Sequence, residues 1–566
     1  MQTIGKRLLK KLSVVMLVII MMLMLFPLTV NAADHPVVIS SGDSVSEIYN
    51  AIQAKIDAAA NGDTVTVTGS KSNAADVLSL IIPAGKKVIW KAVYGNDVSL
   101  NDPLISLNGT GTFEVADDAY LKHTNASQTI VSNNNYIIVS GGAVEATSTY
   151  GKAIETDQGS VTVSGGTVKT SGAYAQTIST TSGHVTVTGT GTVIAGNGES
   201  AAIYTNSGDV AVSGGSVKAE GGGNTYAIET ESGDVMVSGG VVSSTSGYAK
   251  AIYAHQGNVT VTGTGIVKAD GGWYGTTIHA PDGNVTVSGG KVEYNGDYST
   301  TIDANSGNVT VLGGVITANG NYCKAIYTGS PSNGGNVTVS GGTVTATGEN
   351  ASAIETRSGE ITISGGTISV IGDWGWTIWS DGGNIIITGG EILLSGADST
   401  GSAVSVAGQN ATIKITGGTV TATGDNAKAI WVQNYSAAAY LAGTCSGILL
   451  NYDDTSMIVE VDSLVIPASR HNTDEGLTIK AGEIAENSVK WNIPEGATIP
   501  VIVFSMYDGM EVTYNPEIPW GTLESTLPNT GDNRNTSLWL LICSISLLGL
   551  GLSAEARKRY KADDQK

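Results

Sequence analysis

Aromatic and acidic side chains recur at fixed positions around a repeated Ala-Ile or Thr-Ile pair. One set lies four residues before the isoleucine, and a second set lies one residue after it. From these two sets, the candidate glycan-binding residues are Tyr253, Tyr274, Tyr298, Tyr327, Glu355, Trp374, Trp379 and Trp431. Trp376, which belongs to neither set, is a further candidate. Flat rings stack on the apolar faces of sugars, and neighbouring carboxylates accept hydrogen bonds from sugar hydroxyls. This chemistry predicts a carbohydrate-binding surface if both sets face solvent.

Two interpretations of the aromatic residues remain open at the level of the sequence. The tyrosines could bind a ligand, or each ring could stack on the tyrosine of the next repeat and tighten a turn. Trp374, Trp376 and Trp379 lie within six residues of one another. Such a concentration of tryptophan favours exposed apolar surface for binding, although packing against a neighbouring part of the protein is the alternative.

Residues for catalysis or metal binding form no comparable pattern. The six histidines are dispersed along the chain, so the sequence predicts no metal centre and no cofactor. His184 occupies a place in the repeat that Asp209 and Asn258 hold elsewhere, which indicates a turn residue. This Asp and Asn column could supply calcium ligands, but Ca²⁺ needs six to eight converging oxygens. A ladder of side chains that links successive repeats is the alternative, and we favour it.

A repeat must position all of these side chains. Between residues 137 and 432 the isoleucine landmark recurs every 24 to 28 residues, in twelve units, and each unit carries a segment such as VTVSGG at 161–166. Alternation with a period of two indicates short strands with one apolar face, and the glycines suit sharp corners. Three strands per unit predict an all-β, parallel and right-handed β-helix. A twelve-bladed propeller is less favoured, because a blade needs about 40 residues.

Both ends of a solenoid need caps, because open ends expose strand edges. Ile48, Ile52 and Ile56 form one apolar stripe, which predicts a capping helix over Ser46 to Ala60. Residues 433–515 keep the alternation but lack the Gly-Gly corners, so we expect irregular coils and a β-rich cap there. Cys323 lies in the tyrosine-bearing turn and is expected to carry an exposed thiol.

The C-terminal segment resembles the sorting signal of Gram-positive cell-wall surface proteins. Its pentapeptide is Leu527-Pro528-Asn529-Thr530-Gly531, and an apolar run from Leu538 to Leu552 and a basic tail follow. The resemblance implies that a sortase cleaves the Thr530–Gly531 bond and joins Thr530 to a peptidoglycan precursor. The apolar run would hold the chain in the membrane until then. An ordinary C-terminal membrane anchor is the alternative.

The N-terminus has the features of a secretory signal. Four basic residues precede an apolar core from Leu12 to Phe26, and cleavage is expected after Ala32 or Ala33. A retained membrane helix is the alternative. The two processing segments contain ten of the 29 Lys and Arg and four of the 50 Asp and Glu, which leaves 19 basic and 46 acidic residues, a net charge of −27. Nucleic acid is therefore not an expected partner.

The repeat region resembles the pectin-lyase-like β-helices, a group that contains polysaccharide lyases and hydrolases. The catalytic motifs of those enzymes are missing here, so we expect no enzyme. The leading hypothesis is a wall-anchored, non-catalytic adhesin that binds a glycan or another host-surface ligand. The alternatives are a structural spacer of the wall, and a polysaccharide lyase or hydrolase with an unrecognised site.

These observations predict six segments in the chain. They are a signal peptide (1–32), an N-terminal cap with degenerate coils (33–136), the repeat β-helix (137–432), final coils with a β-rich cap (433–515), a linker (516–526), and the sorting signal (527–566) with its membrane-spanning segment (538–552).

Overall fold

The computed structural model describes most of the chain between residues 32 and 461. The described ranges are 32–96, 102–125, 128–330, 334–396, 401–407, 411–423, 427–432, 438–441, 444–446, 448–451, 458–461 and 503–505. The sorting motif Leu527–Gly531, the apolar run 538–552 and residues 1–31 lie outside these ranges. Within the part of the chain that the structure describes, no helix combines the length and apolar character that a membrane span requires.

The chain winds as a parallel β-helix, which confirms the predicted all-β, parallel solenoid. Each coil contributes three strands, and each strand pairs in parallel with the corresponding strand of the next coil. Val161 and Val163 pair with Val185 and Val187 in the first-strand stack. In the third-strand stack, Ile154 pairs with Ile178. Twelve third strands run from Lys152–Thr156 to Lys428–Val432, as the twelve predicted units require.

The first and second strands of successive coils together form one sheet of 27 strands among the described residues, and the third strands form a separate stack. The bounds of the first and second strands are Val37–Ile39, Thr64–Lys71, Lys87–Trp90, Val93–Asn96, Thr112–Val115, Tyr120–His123, Tyr136–Val139, Ala143–Ala146, Val161–Val163, Thr167–Thr170, Val185–Val187, Thr192–Ala195, Val210–Glu220, Val235–Thr245, Val259–Val261, Ile266–Asp270, Val285–Asn295, Val309–Asn319, Val337–Val339, Thr343–Thr347, Ile361–Ile363, Thr367–Ile371, Ile385–Ser395, Thr412–Thr423, Ala438–Leu441, Thr444–Ser446 and Ile458–Val461. The bounds of the third strands are Leu78–Ile82, Ile105–Gly109, Gln128–Ser132, Lys152–Thr156, Gln176–Thr180, Ala201–Thr205, Tyr226–Thr230, Lys250–Ala254, Thr276–His279, Thr300–Asp303, Lys324–Thr328, Ser352–Thr356, Trp376–Ser380, Ser402–Val406, Lys428–Val432, Ile448–Asn451 and Val503–Ser505.

Columns of Val and Ile fill the interior of the solenoid. Val161 and Val163 are fully buried on the two sides of the outward Thr162, as a period of two requires. The third strand departs from that period, because Ala153 and Ile154 are both fully buried. Ala153 has no paired residue in the register of its strand. The local break in pairing lets two successive side chains face the core, and the outward position therefore begins at Glu155.

The Gly-Gly corner between the first and second strands depends on glycine. Gly166 has a φ of +64°, a conformation that residues with a Cβ rarely adopt. A Cβ on Gly165 would lie 2.2 Å from the carbonyl oxygen of Ser140 in the preceding coil. The corner therefore requires glycine at position 166 because of its backbone conformation, and at position 165 because the preceding coil approaches closely.

The Asp and Asn column before the first strand forms a hydrogen-bonded ladder, which confirms the favoured interpretation. Asn258 donates its backbone N–H to Asp234 Oδ1 at 2.8 Å. Asn284 donates to Asn258 Oδ1 from its backbone N–H at 3.1 Å and from Nδ2 at 3.0 Å. His184 accepts a hydrogen bond from the backbone N–H of Asp209 at 3.0 Å, so it belongs to the same ladder.

A helix from Val45 to Ala58 covers the first coil, close to the predicted bounds. Ser44 and Glu47 form a capping box at its start. Ile52 is fully buried against the solenoid core. Gln53 accepts a hydrogen bond from the backbone N–H of Ile81 at 3.0 Å and donates one to its carbonyl at 3.0 Å. The helix therefore satisfies the backbone N–H and carbonyl of Ile81 in the strand Leu78–Ile82.

The expectation of an exposed thiol at Cys323 is wrong. Cys323 is fully buried, and its Sγ lies 3.7 Å from the carbonyl oxygen of Thr347. The residue after the corner tyrosine turns inward in each coil, and Ala175 and Ala351 fill the same place elsewhere. The corner exposes the tyrosine and the residue before it, and a small residue packs beneath them.

Candidate functional site

The three outer faces of the solenoid differ in composition. The outward position of the first strands is mostly threonine, at Thr162, Thr186, Thr260, Thr286, Thr310, Thr338 and Thr362. The third-strand face instead carries large aromatic or charged side chains in most coils, at one or both of two positions, the first residue of the strand and the residue after the isoleucine. A polar but uniform face needs no ligand to explain it, so the third-strand face is the candidate surface.

An aromatic ladder forms the edge of this face, at the corner that precedes the third strand. Tyr298 and Tyr322 stack with ring centroids 4.7 Å apart and an interplanar angle of 3°, and Tyr274 lies 5.6 Å from Tyr298. The rings remain exposed, with Tyr274 at 62% and Trp374 at 54% of their full accessibility. The stacking interpretation is therefore confirmed for these tyrosines, and the binding interpretation stays a prediction for rings that also present their outer edges to solvent.

The ladder and the third strands enclose a groove of about 580 Å³, which we call the aromatic groove. Its lining residues are Tyr274, Tyr298, Ser299, Thr300, Tyr322, Lys324, Asn350, Ser352, Glu355, Trp376 and Trp379. The tyrosines and Asn350 come from the corners, and Ser299 directly follows the corner residue Tyr298. The remainder come from the start of the third strands and from the position after the isoleucine. The groove crosses five successive coils, which at about 4.8 Å per coil gives a length of about 19 Å.

Trp376 and Trp379 form one end of the aromatic groove. Their ring centroids are 6.3 Å apart with an interplanar angle of 38°. Gly375 permits this placement, because a Cβ there would lie 2.5 Å from Cγ1 of Val370. The indole Nε1 of Trp376 is shielded from solvent and has no hydrogen-bond partner among the described residues. An indole N–H without an acceptor is a donor that a bound ligand can satisfy.

An ion pair occupies the floor of the aromatic groove. Lys324 Nζ lies 2.6 Å from Glu355 Oε1, and the Glu355 side chain is buried. Lys324 Nζ also lies 4.1 Å from the centre of the Tyr327 ring. Burial raises the pKa of the Tyr327 hydroxyl, and the nearby Arg357 opposes that rise. These contacts fix the ammonium and the carboxylate in place, so both are preorganised to bind hydroxyl groups.

Five of the nine predicted ligand-binding residues line the aromatic groove, namely Tyr274, Tyr298, Glu355, Trp376 and Trp379. Tyr327 contacts the groove residue Lys324 but does not line the groove. Trp374 lies on the aromatic ladder outside the lining. Trp431 lies in the strand Lys428–Val432, and the surroundings of its side chain are outside the described part of the chain. Tyr253 belongs to a separate cluster.

Sequence reasoning missed Lys324, Ser352 and Thr300. Each of the three is the first residue of a third strand and lies two positions before the landmark isoleucine of that strand. Strict alternation would place that position on the inward face together with the isoleucine. The break in pairing at the second residue of the strand turns it outward instead, so residue spacing alone does not reveal this column.

The separate cluster lies on the same face, where Glu229, Glu231, Tyr253 and His255 meet. The Tyr253 and His255 ring centroids are 3.9 Å apart. His255 Nε2 lies 3.7 Å from Glu229 Oε1 and 3.9 Å from Glu231 Oε1. Burial raises the pKa of the Glu229 carboxyl, and His255 opposes that rise. Burial lowers the pKa of the Lys250 ammonium beside it.

Comparisons of the chain with protein-family models, with curated protein sequences and with solved structures found no match in any of the three. No relative therefore suggests a function, and the following proposals rest on the residues and their geometry.

Proposed function

We propose that this protein is a non-catalytic, cell-wall-anchored surface adhesin that binds carbohydrate in the aromatic groove. The observation that carries the proposal is the coincidence, in one open groove, of exposed aromatic rings with fixed polar groups. Trp376, Trp379 and the tyrosine ladder offer ring faces, while Lys324 and Glu355 offer a donor and an acceptor. Sugars need both kinds of contact, because each sugar ring has an apolar face and an equatorial set of hydroxyls.

The size and shape of the aromatic groove suit a short oligosaccharide. A volume of about 580 Å³ falls in the usual range for ligand sites, and the length of about 19 Å follows the axis of the solenoid. The groove is built on stacked strands and on the short corners that precede them, so little ordering is needed when a ligand binds.

The polar groups in the aromatic groove favour binding over hydrolysis. Glycoside hydrolysis ordinarily uses two carboxylates on opposite sides of the scissile bond. Glu355 is the one carboxylate among the lining residues of the described groove, and it is paired with Lys324. A single paired carboxylate can position a hydroxyl group, but it does not supply both the acid and the base.

A glycan array compares the wild-type protein with a Trp376→Ala/Trp379→Ala variant. We expect selective binding by the wild type and at least a tenfold loss of affinity in the variant, because both ring faces are removed. The matched control is Tyr150→Ala, since Tyr150 is 65% exposed and stacked on Tyr174 at 5.2 Å but lies outside the aromatic groove. Circular dichroism establishes that each variant is folded.

The array has two results that would contradict the proposal. Equal binding by the wild type and the double variant would place the glycan elsewhere on the protein. No binding by any of the three proteins would favour the second candidate, a structural spacer of the wall. The continuous Asn ladder supports that candidate, because it stiffens the rod without any ligand.

Attachment to the wall is a separate part of the proposal, and it is supported by the LPNTG segment and the apolar run and basic tail that follow it. In a sortase-positive Gram-positive host, wild-type protein should be released with the wall fraction by a muramidase. Thr530→Ala should instead leave the protein in the membrane fraction or the medium, because it removes the threonine side chain of the motif that a sortase recognises before it attacks the backbone carbonyl of that residue. Ser525→Ala, just outside the motif, is the matched control. Equal wall release of all three proteins would indicate retention by another mechanism.

A further inference from the structure

A cluster of three potential metal ligands lies on the third-strand face, apart from the aromatic groove. Glu229 and Glu231 come from one coil, and His255 comes from the next. One ligand atom from each of the three residues can be chosen such that all three atoms lie within 4.8 Å of one another. None of these residues lines the aromatic groove.

The separations between the ligand atoms are too long for hydrogen bonds and suit a shared ion. The distances from His255 Nε2 are 3.7 Å to Glu229 Oε1 and 3.9 Å to Glu231 Oε1. A hydrogen bond would bring such atoms to about 2.8 Å. Two ligands of a tetrahedral zinc ion with bonds of about 2.1 Å lie about 3.4 Å apart. Movements of a few tenths of an ångström would therefore bring His255 Nε2 to the separation from each carboxylate that a shared zinc ion requires.

His255 is held in a position from which it can coordinate an ion. The Tyr253 ring lies against the imidazole, with centroids 3.9 Å apart. Nε2 is shielded from solvent and has no hydrogen-bond partner among the described residues. The Glu231 side chain is 42% exposed, so an ion can enter from solvent on that side. A buried nitrogen that faces two carboxylates without a hydrogen bond is a free ligand for a cation.

We propose that Glu229, Glu231 and His255 bind one divalent transition-metal ion of the zinc class, linking two successive coils. One imidazole nitrogen and two carboxylate oxygens form a ligand set that suits zinc better than calcium or magnesium, which prefer oxygen ligands alone. A fourth position remains for water. Lys250 acts against binding, because its ammonium interacts with the Glu229 carboxylate. The same ammonium lies 5.4 Å from the Tyr226 ring centre and 5.6 Å from the Tyr253 ring centre.

Isothermal titration calorimetry with ZnCl₂ tests the site in protein purified with a tag that contains no histidine. We expect one ion per chain for the wild type and at least tenfold weaker binding for His255→Ala and for Glu229→Gln. CaCl₂ and MgCl₂ should bind much more weakly. The matched control is His184→Ala, because His184 faces only one carboxylate, that of Asp209 at 3.4 Å, and is exposed.

A gain-of-affinity variant keeps the test decisive even if a loss-of-ligand variant folds poorly. Lys250→Met keeps an apolar stem over the tyrosine rings and removes the competing charge, so zinc should bind several-fold more tightly. Zinc should also raise the thermal unfolding temperature of the wild type but not that of His255→Ala. Absence of zinc binding at millimolar concentration, or equal binding by wild type and His255→Ala, would overturn the proposal.

Discussion

The corner residues of the aromatic ladder adopt a conformation that favours glycine, although they are tyrosine and tryptophan. Tyr298 has a φ of +54°, Tyr322 of +56° and Trp374 of +63°. The left-handed region costs a residue with a Cβ about 1–2 kcal/mol, and an aromatic pair returns about 0.5–1.5 kcal/mol. The two strained residues of the Tyr298–Tyr322 pair together cost about 2–4 kcal/mol, so stacking offsets only part of the strain. Stacking alone therefore does not explain the rings, which favours a role for them at the surface.

The thiol of Cys323 should be inert in the folded protein. Burial raises its pKa to about 11, so at pH 8 it is almost entirely the protonated, unreactive form as well as shielded. Alkylation by iodoacetamide at pH 8, followed by peptide mass spectrometry, should leave Cys323 unmodified in native protein and modify it fully in denaturant. Comparable labelling in both states would show that the corner opens readily in solution.

At the scale of the element, side chains as well as strands connect each coil to the next. Asn308 donates to Asn284 Oδ1 from its backbone N–H at 3.0 Å and from Nδ2 at 3.1 Å. Asn284 in turn donates to Asn258. The ladder satisfies backbone N–H groups at the corner, where no strand partner is present.

Asn284→Ala removes the Oδ1 that accepts both bonds from Asn308 and the Nδ2 that donates to Asn258, and it leaves the bond from the backbone N–H of residue 284 in place. We expect a loss of about 1 kcal/mol in local stability, because the exposed groups regain only part of their hydrogen bonding from water. Faster amide hydrogen exchange in the flanking coils is the measurement, since it reports local opening in a long repeat protein. Thr286→Ala is the control, because Thr286 faces outward and its side chain makes no hydrogen bond to another described residue. Identical exchange in the two variants would contradict a structural role for the ladder.

At the scale of the whole molecule, the solenoid depends on covered ends. The capping helix buries Ile48, Ile52 and Ile56 on the first coil, and Gln53 binds the backbone of Ile81. An uncovered coil would present unpaired strand groups to other molecules. The cap therefore maintains solubility as well as stability.

Ile52→Glu should detach the capping helix, because it places a charge in a fully buried apolar site. We expect soluble aggregates or oligomers, detected by size-exclusion chromatography with light scattering. Ala54→Glu introduces the same residue on the exposed side of the helix and should leave the protein monodisperse. Aggregation of both variants to the same extent would indicate that the added charge itself, and not the loss of the cap, is responsible.

Much of this architecture was predictable because the repeat imposes one geometry on every coil. The spacing of the landmark isoleucines predicted three-stranded coils, and the stripe of Ile48, Ile52 and Ile56 predicted the cap. Cys323 was misplaced because the sequence does not show which residue of a corner turns inward. The Glu229–His255 cluster was missed because the histidines were compared along the chain rather than by their place in the coil. His255 and Glu231 both lie three residues after a landmark isoleucine.

The sequence by itself determined the parallel β-helix, the number of repeat units and which residue types recur in each column, because a solenoid converts sequence period directly into position along its axis. The tertiary structure decided how neighbouring columns meet across a corner. The aromatic ladder and the third strands approach each other only because the chain turns between them, and that turn brings Tyr298, Lys324 and Trp376 into one groove. Contacts across a corner depend on backbone conformations such as the positive φ of Tyr298, which residue spacing does not specify.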